Sequence, residues 1–405
     1  MLKKSLLLLL CLALIAFVAV GCGNNDNVAD NGNNNNNDAN DNDNGDEVVE
    51  LTYVGSDRCA ACHGDEHAGW KDTQHPYMIM DADEILPEAV AALEAAIANG
   101  DEDLLRIGAD GEVLTSVDQI DLVNGGFFKQ RFVFRTDEGH RFLTSQFNVP
   151  SGELSPYGAG SLWEDNCIGC HSTGFDLELS QSLVRSDPNY RLEDNFAEPG
   201  VGCEACHGPG SAHIADVTNP ELIVNPADFT IEEQLHFCGS CHARASGSLE
   251  VPGRNDPIGF EIGDDIFDYT KVLSPGTNQN VWLGESGRYY DSEEDGNWRF
   301  FEDGGSRSHR MQFNDLIQGP HWGVVSCTDC HDVHAAGQVH TSTGAPSTLR
   351  WAFEDTCNAC HEDGQYDPEE YMPVRASSSN TPDQRNHTFL PGGVGDPDPN
   401  VPEQN

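Results

Sequence analysis

Positive charge is scarce in this chain: Lys and Arg together number 21 against 68 Asp and Glu in 405 residues, a formal balance of −47. Such a surface argues against binding nucleic acid or anionic lipid. By steering, it favours basic partners or cationic substrates, with plain solubility or a saline habitat as the simpler explanation. A phosphate-binding loop and a recognisable nucleophile constellation are also missing. Spare cysteine is absent too: 12 of the 14 cysteines fall into one repeated pattern, and Cys11 and Cys22 lie in the N-terminal leader, leaving none in the body for a structural disulfide. Few segments show helical periodicity, and 41 glycines with 21 prolines make the chain turn-rich for its size. Such a chain cannot easily build an ordinary core unless something besides side chains fills it.

The repeated pattern is Cys-x-x-Cys-His, and it occurs six times: Cys59/Cys62/His63, Cys167/Cys170/His171, Cys203/Cys206/His207, Cys238/Cys241/His242, Cys327/Cys330/His331 and Cys357/Cys360/His361. This is the attachment signal for c-type haem. Two thiols three apart add to the vinyl groups on one edge of the porphyrin, and the adjacent histidine turns under the ring to ligate iron. The alternative is zinc, since paired knuckles also build Cys₄ sites. Histidine is 16 of 405 residues, so its following all six knuckles by chance is on the order of 10⁻⁸, and a zinc ribbon does not require it. Six covalently bound haem c groups are therefore expected. Their flat apolar faces would replace side-chain core, and the haem-free chain should be largely unfolded. The fold class expected is mainly irregular and α, with short helices and loops wrapped around six closely packed haems and a small antiparallel β element.

The leader (1–21) places Lys3 and Lys4 before an apolar run from Leu6 to Val20, the length of a secretory signal rather than of a span. It ends "AVGC", which resembles a bacterial lipobox, with Cys22 as the acylated residue; ordinary cleavage to a soluble periplasmic protein is the alternative. An export address also suits knuckles that are haem-loaded. Residues 22–50, rich in Asn and Asp, have almost nothing to bury and read as a disordered tether with a reach of roughly 25 to 30 Å. The location expected is a membrane-anchored lipoprotein facing the periplasm or the cell surface. The haem domain is expected over 51–375, followed by a polar tail, 376–405.

What fills the second axial position of each haem decides between a saturated electron-transfer centre and an open, reactive one. Ten histidines lie outside the motifs. Here the flanks become informative: "YVGSDRCAACHGDEHAGWKDTQH", "NCIGCHSTGF", "GVGCEACHGPGSAH", "SHRMQFNDLIQGPHWGVVSCTDCHDVHAAG" and "NHTF" resemble the multihaem cytochromes of the cytochrome c-554-like superfamily, whose members include hydroxylamine-oxidoreductase-type proteins. The resemblance runs along most of Tyr53–Phe389. It implies distal ligands at His75, His213, His309, His321, His334 and His387, with His213 reaching a haem other than that of its neighbour His207. His67, His140 and His340 read as surface residues, while His236 is open either way.

Between motifs, "PEAVAALEAAIANG" reads as a helix from Pro87 to Asn99-Gly100 with Ala89, Leu93 and Ile97 on one face. The stretch that follows has β-rich runs broken at Gly125-Gly126 and Asp137-Glu138-Gly139, a small antiparallel sheet. Residues 250–305, aromatic and acidic, read as packing around the haems, or as an insertion that docks a partner or lines a substrate pocket. Three functions are compatible: electron transfer through mostly bis-histidine haems to redox protein partners; an oxidoreductase with one open haem acting on a small nitrogen or sulfur compound; and a subunit of a haem-lined filament. No motif exchanges its histidine for lysine, which favours the first.

Overall fold

The computed structural model describes residues 51–251, 254, 256–275, 289–291, 299–301, 304–340, 344–376 and 384–390. The leader, the tether with Cys22, and most of the polar tail lie outside these residues. Among those described, no helix is long and apolar enough to cross a membrane.

Short helices predominate, as the turn-rich composition requires, and the longest described one runs over Pro87–Asn99. Pro87 sits at its first position, where a missing N–H costs nothing, and Gly100 closes it in the left-handed conformation, φ 75°. Its buried face is Ala89, Leu93 and Ala96; Ile97 lies half-buried at the edge of the same cluster.

That helix packs on a five-stranded antiparallel sheet, larger than the sequence suggests: β1 (Met80–Asp81), β2 (Leu122–Asn124), β3 (Lys129–Thr136), β4 (Gly139–Asn148) and β5 (Glu153–Pro156) lie side by side in chain order. Gly125, φ 86°, starts the turn into β3, where a Cβ would come within 2.7 Å of the Lys129 carbonyl oxygen. Alternation along β3 sends Phe132 and Phe134 to the helix side and Val133 to the other. On that other side Val133 and Phe142 meet Trp163, Ile168 and Leu192, with Cys167 packed against them. The second motif is therefore built on the back of the sheet.

A separate core gathers Leu235, Phe267, Val272, Phe313 and Leu316. It joins a helix over Ile231–His242, which carries the fourth motif, to a helix over Gln312–Leu316. Thr230 starts the first of these by accepting from the Glu233 N–H, while the Glu233 carboxylate takes the Thr230 N–H at 2.8 Å, a reciprocal cap that satisfies two orphan donors. Behind them lies a second sheet: Ala245–Ser248 pairs antiparallel with Thr270–Ser274, which pairs parallel with Tyr289–Asp291. No alternation of apolar residues announces this sheet in the chain. Near the end, Val374–Ala376 and Gln384–Arg385 pair antiparallel.

His140 differs from its expected surface position. It is 3 % exposed, and its Nδ1 lies 2.8 Å from the Glu164 carboxylate, which also accepts from the Tyr190 hydroxyl at 2.9 Å. A charged turn hides this because the acid partner is 24 residues away. His67 is also mostly covered, with its ring 5.4 Å from that of Trp70.

Candidate haem-ligating histidine pairs

Each motif is wound as a single turn. The N–H of the motif histidine donates to the carbonyl of the first cysteine in the first, second, fifth and sixth motifs, at 2.9, 3.1, 3.0 and 2.9 Å, and the third and fourth motifs lie in helices. Cysteines at i and i+3 with a histidine at i+4 thus share one face. Among the described residues, no three of His, Cys, Asp and Glu converge in the way a metal chelated directly by them would need.

Histidines instead face one another in twos. The ring centres of His63 and His213 are 6.5 Å apart, those of His75 and His242 6.4 Å, His207 and His334 6.1 Å, His321 and His361 6.1 Å, and His331 and His387 6.4 Å. An imidazole bond to a transition metal of about 2.0–2.1 Å, plus about 1.1 Å from nitrogen to ring centre, counted on both sides, gives about 6.3 Å. The gaps fit one iron each. In every pair one ring belongs to a motif and the other to a position outside it.

Second partners orient the rings. The Nδ1 of His207 lies 2.8 Å from the Val224 carbonyl, that of His331 3.0 Å from the Thr348 hydroxyl, that of His387 2.9 Å from the Arg385 carbonyl, and that of His171 3.2 Å from the Met78 carbonyl. An N–H held there leaves Nε2 with its lone pair for metal. Burial pushes His75, His171 and His387 down to about 4 and His331 down to about 3, so the neutral, ligating form holds across the physiological range. His242 is exposed, yet the protein packed around it still pushes its titration down.

Neighbouring motifs come close through their thiols. The Cys59 thiol meets that of Cys203, Cys170 that of Cys241 and Cys238 that of Cys327, while Cys206 lies near Cys238 and Cys360 near Cys330. In space the motifs therefore run first, third, fourth, fifth, sixth, with the second branching from the fourth.

Cys62 differs from most of the motif cysteines. It is exposed, whereas Cys59 of the same motif is half-buried. The cause lies in its place in the row: the first motif stands at one end, its inner thiol turned to Cys203, and the residues on either side of Cys62, from Ala61 through Glu66, are exposed with it. Cys360, in the motif at the opposite end, is exposed as well. Haems attached at these two positions would present a thioether edge to water, while the other ten motif cysteines are all half-covered.

Comparison with known proteins bears on the repeated motif. A family profile described as "Cytochrome c554 and c-prime" matches residues 155–208, which hold the second and third motifs. The multiheme cytochrome MtrA of Shewanella baltica is 24% identical over 214 residues, covering 52% of this chain and 54% of that one. Cytochrome c-554 of Nitrosomonas europaea is 28% identical over 99 residues, 21% of this chain and 37% of that one. The chain is a multihaem c-type cytochrome. Its match spans about half the length of MtrA and less of cytochrome c-554. The fold resembles that of the outer cell wall cytochrome OcwA, with a TM-score of 0.55 at 17% identity over 83% of this chain and 79% of that one.

The sixth expected distal residue of the cytochrome stands elsewhere. His309 is not set opposite a motif ring; its two ring nitrogens lie 3.2 and 3.3 Å from Nη2 of Arg244. Correspondingly, His171 has no histidine facing it at the common separation among the described residues, and its ring neighbour is Trp163, edge-on at 6.4 Å. The arginines and the tyrosine near it, Arg131, Arg244, Arg310 and Tyr157, were not singled out by sequence. Only the adjacency of His309 and Arg310, two large basic residues inside an otherwise acidic chain, pointed there.

Proposed function

We propose that this cytochrome carries six covalent haems and serves as an exported electron carrier, anchored through Cys22 and facing the periplasm or the cell surface. The observation that supports this best is the set of five histidine pairs sharing one separation, 6.1–6.5 Å. In this reading the motif cysteines hold the haems, Cys62 and Cys360 among them despite their exposure. The motif histidines are the proximal ligands, and His213, His334, His75, His387 and His321 complete the first, third, fourth, fifth and sixth sites. Haem when bound supplies iron that takes up and releases single electrons. The protein residues fix the axial rings, exclude water and keep both imidazoles neutral. The close thiols describe a relay from the first motif to the sixth, with redox proteins as donor and acceptor. Exposed thioether edges at both ends suit electron entry and exit there. Basic partners are favoured by the charge of −47.

The second motif departs from this pattern, which supports an additional reading: among the described residues no histidine faces His171 at the common separation, so a haem held there would be free to take a small ligand. Both parts are tested on the purified mature protein. Mass spectrometry should find six haem additions and an acylated Cys22; fewer additions would refute the count, and an unmodified N-terminus the anchor. Electron paramagnetic resonance should show five low-spin irons and one high-spin iron, with carbon monoxide binding once per reduced chain. Six low-spin irons and no carbon monoxide shift would leave a pure electron carrier.

A further inference from the structure

Glu204, which follows the first cysteine of the third motif, is a carboxylate only 2 % exposed. It accepts from the N–H of Val54 at 2.9 Å on both oxygens, from that of Gly55 at 2.7 Å and from that of Gly210 at 2.7 Å. Glycine at 210 permits the approach, since a Cβ there would come within 3.2 Å of Oε1. The segment leading into the first motif is thereby fixed on the third. Thr52 and Ser211 reinforce the contact, the Thr52 N–H donating to the Ser211 hydroxyl at 2.9 Å and the Ser211 N–H to the Thr52 carbonyl at 3.2 Å. Beyond Glu204, the Ser56 hydroxyl donates to the Glu198 carboxylate at 2.8 Å and accepts from the Cys203 N–H at 2.9 Å.

These donors to Glu204 are neutral backbone groups, and among the described residues no ion pair joins Glu204 or Glu198 to a basic side chain. Donors on both oxygens suit the acceptor-only carboxylate. Burying such a charge without a counter-ion is costly, and in low dielectric its field acts strongly on whatever lies beside it. Beside it are the attachment points of two motifs. Glu204 adjoins Cys203 in the chain, and both Glu204 and Glu198 are charged neighbours of the Cys59 thiol, which stands where a thioether would be. The sign is reversed at the second motif, where Arg310 places Nη1 3.7 Å from the Cys170 sulfur. A nearby anion favours oxidised iron over reduced, and a nearby cation does the opposite.

We propose that Glu204, supported by Glu198, sets the reduction potentials at the first and third motifs, making them the most reducing stages of the relay. The proposal rests on both motifs holding histidine-paired haems, as in the reading above, and adds a direction to it. Each transfer moves one electron from a ferrous iron to the next ferric iron and breaks no bond. An electron delivered by a reducing redox protein at the exposed first motif would run downhill through the third to the fourth, and its return would be uphill. Glu204 acts through space, by its charge; its hydrogen bonds fix where that charge stands.

The test is a spectroelectrochemical titration of the fully haem-loaded protein. Glu204→Gln, which removes the charge and keeps an acceptor, should make the lowest-potential stages easier to reduce, by about tenfold in the reduction equilibrium constant, with the other stages unmoved and all haems retained. Glu204→Asp, which keeps the charge, should stay close to the parent. Equal shifts in the two variants would leave Glu204 a purely structural tie and overturn the proposal, as would a fully loaded Glu204→Gln protein with its lowest stages unmoved. The parent alone decides the matter if the variants fail to fold. In two-dimensional exchange nuclear magnetic resonance during stepwise reduction, the haems identified by their contacts with His213 and His334 should be the last reduced; reduction of either before the rest would overturn the proposal. A parent lacking haem at Cys59 or Cys203 by mass spectrometry would instead remove the sites themselves, a failure distinct from a wrong order among haems that are present.

Discussion

The backbone N–H of His387 donates to the Asp315 carboxylate at 3.0 Å, tying a segment near the chain's end to a buried helix 72 residues earlier. The same carboxylate accepts from the Ser306 N–H at 3.0 Å and from its hydroxyl. Asp315→Ala should therefore loosen His387 from His331. The expected result is a second high-spin iron at the fifth site, read by electron paramagnetic resonance as a doubling of the high-spin fraction. An unchanged spectrum would show that the segment holds without this anchor.

Two glycines admit distal histidines by letting backbones touch. A Cβ on Gly69 would come within 1.9 Å of the His334 carbonyl oxygen, and one on Gly319 within 2.0 Å of that of Thr388, next to His387. Gly69→Ala should push His334 away from His207, and Gly319→Ala should push His387 away from His331. Redox titration should find one haem of the third or fifth site, respectively, moved in potential, with the other sites unaffected. Shifts spread over all six sites would mean general unfolding instead.

The His140–Glu164–Tyr190 network is a stability element away from the histidine pairs. Glu164→Ala leaves buried donors without their acceptor and should cost about 3 kcal/mol, the lower end for breaking a buried pair. A thermal unfolding midpoint within a degree of the parent would refute this.

Burial pushes the Glu164 carboxyl up, but hydrogen bonds and charge from His140 outweigh it and hold the group below its usual range. A depressed acid stabilises the fold above its unfolded-state titration and loses that contribution as pH falls through the folded-state value. Glu164→Gln should therefore flatten the acid limb of stability against pH below about 5. Denaturant melts at pH 7 and pH 4 would measure it.

Haem-free chain, expressed without the attachment machinery, should lack the near-ultraviolet signature of fixed packing. Circular dichroism showing a packed apo-protein would contradict a fold organised around its cofactors.

Much of this was readable from sequence because local chemistry carries it. The Cys-x-x-Cys-His turn is complete within five residues, and Pro87 and Gly100 bound their helix by conformational preference alone. The flanking motifs led to His75, His213, His321, His334 and His387, which the fold sets opposite motif rings. They also led to His309, whose slot is the same in sequence but whose neighbour in space is Arg244, 65 residues distant. Local pattern has no register for such encounters. The burial of His140 against Glu164 escaped for the same reason, and so did the exposure of Cys62, since six identical motifs say nothing of which one ends the row. The parallel pairing of Thr270–Ser274 with Tyr289–Asp291 escaped too, because short apolar runs give no partner.

His213 facing His63, His242 facing His75 and His387 facing His331 have one more consequence. Each pair, once bridged through iron, would close a loop of chain, in the first two cases of roughly 150 residues or more, and closure of long loops removes denatured-state freedom much as a disulfide does. A protein with no cysteine to spare for cross-linking would thus be laced by coordination bonds. Those laces overlap, because the loop from 63 to 213 and the loop from 75 to 242 share most of their length. No stage of the relay could then be excised as a self-sufficient module, and proteolytic nicks within the overlap should leave the fragments held together until the irons are displaced.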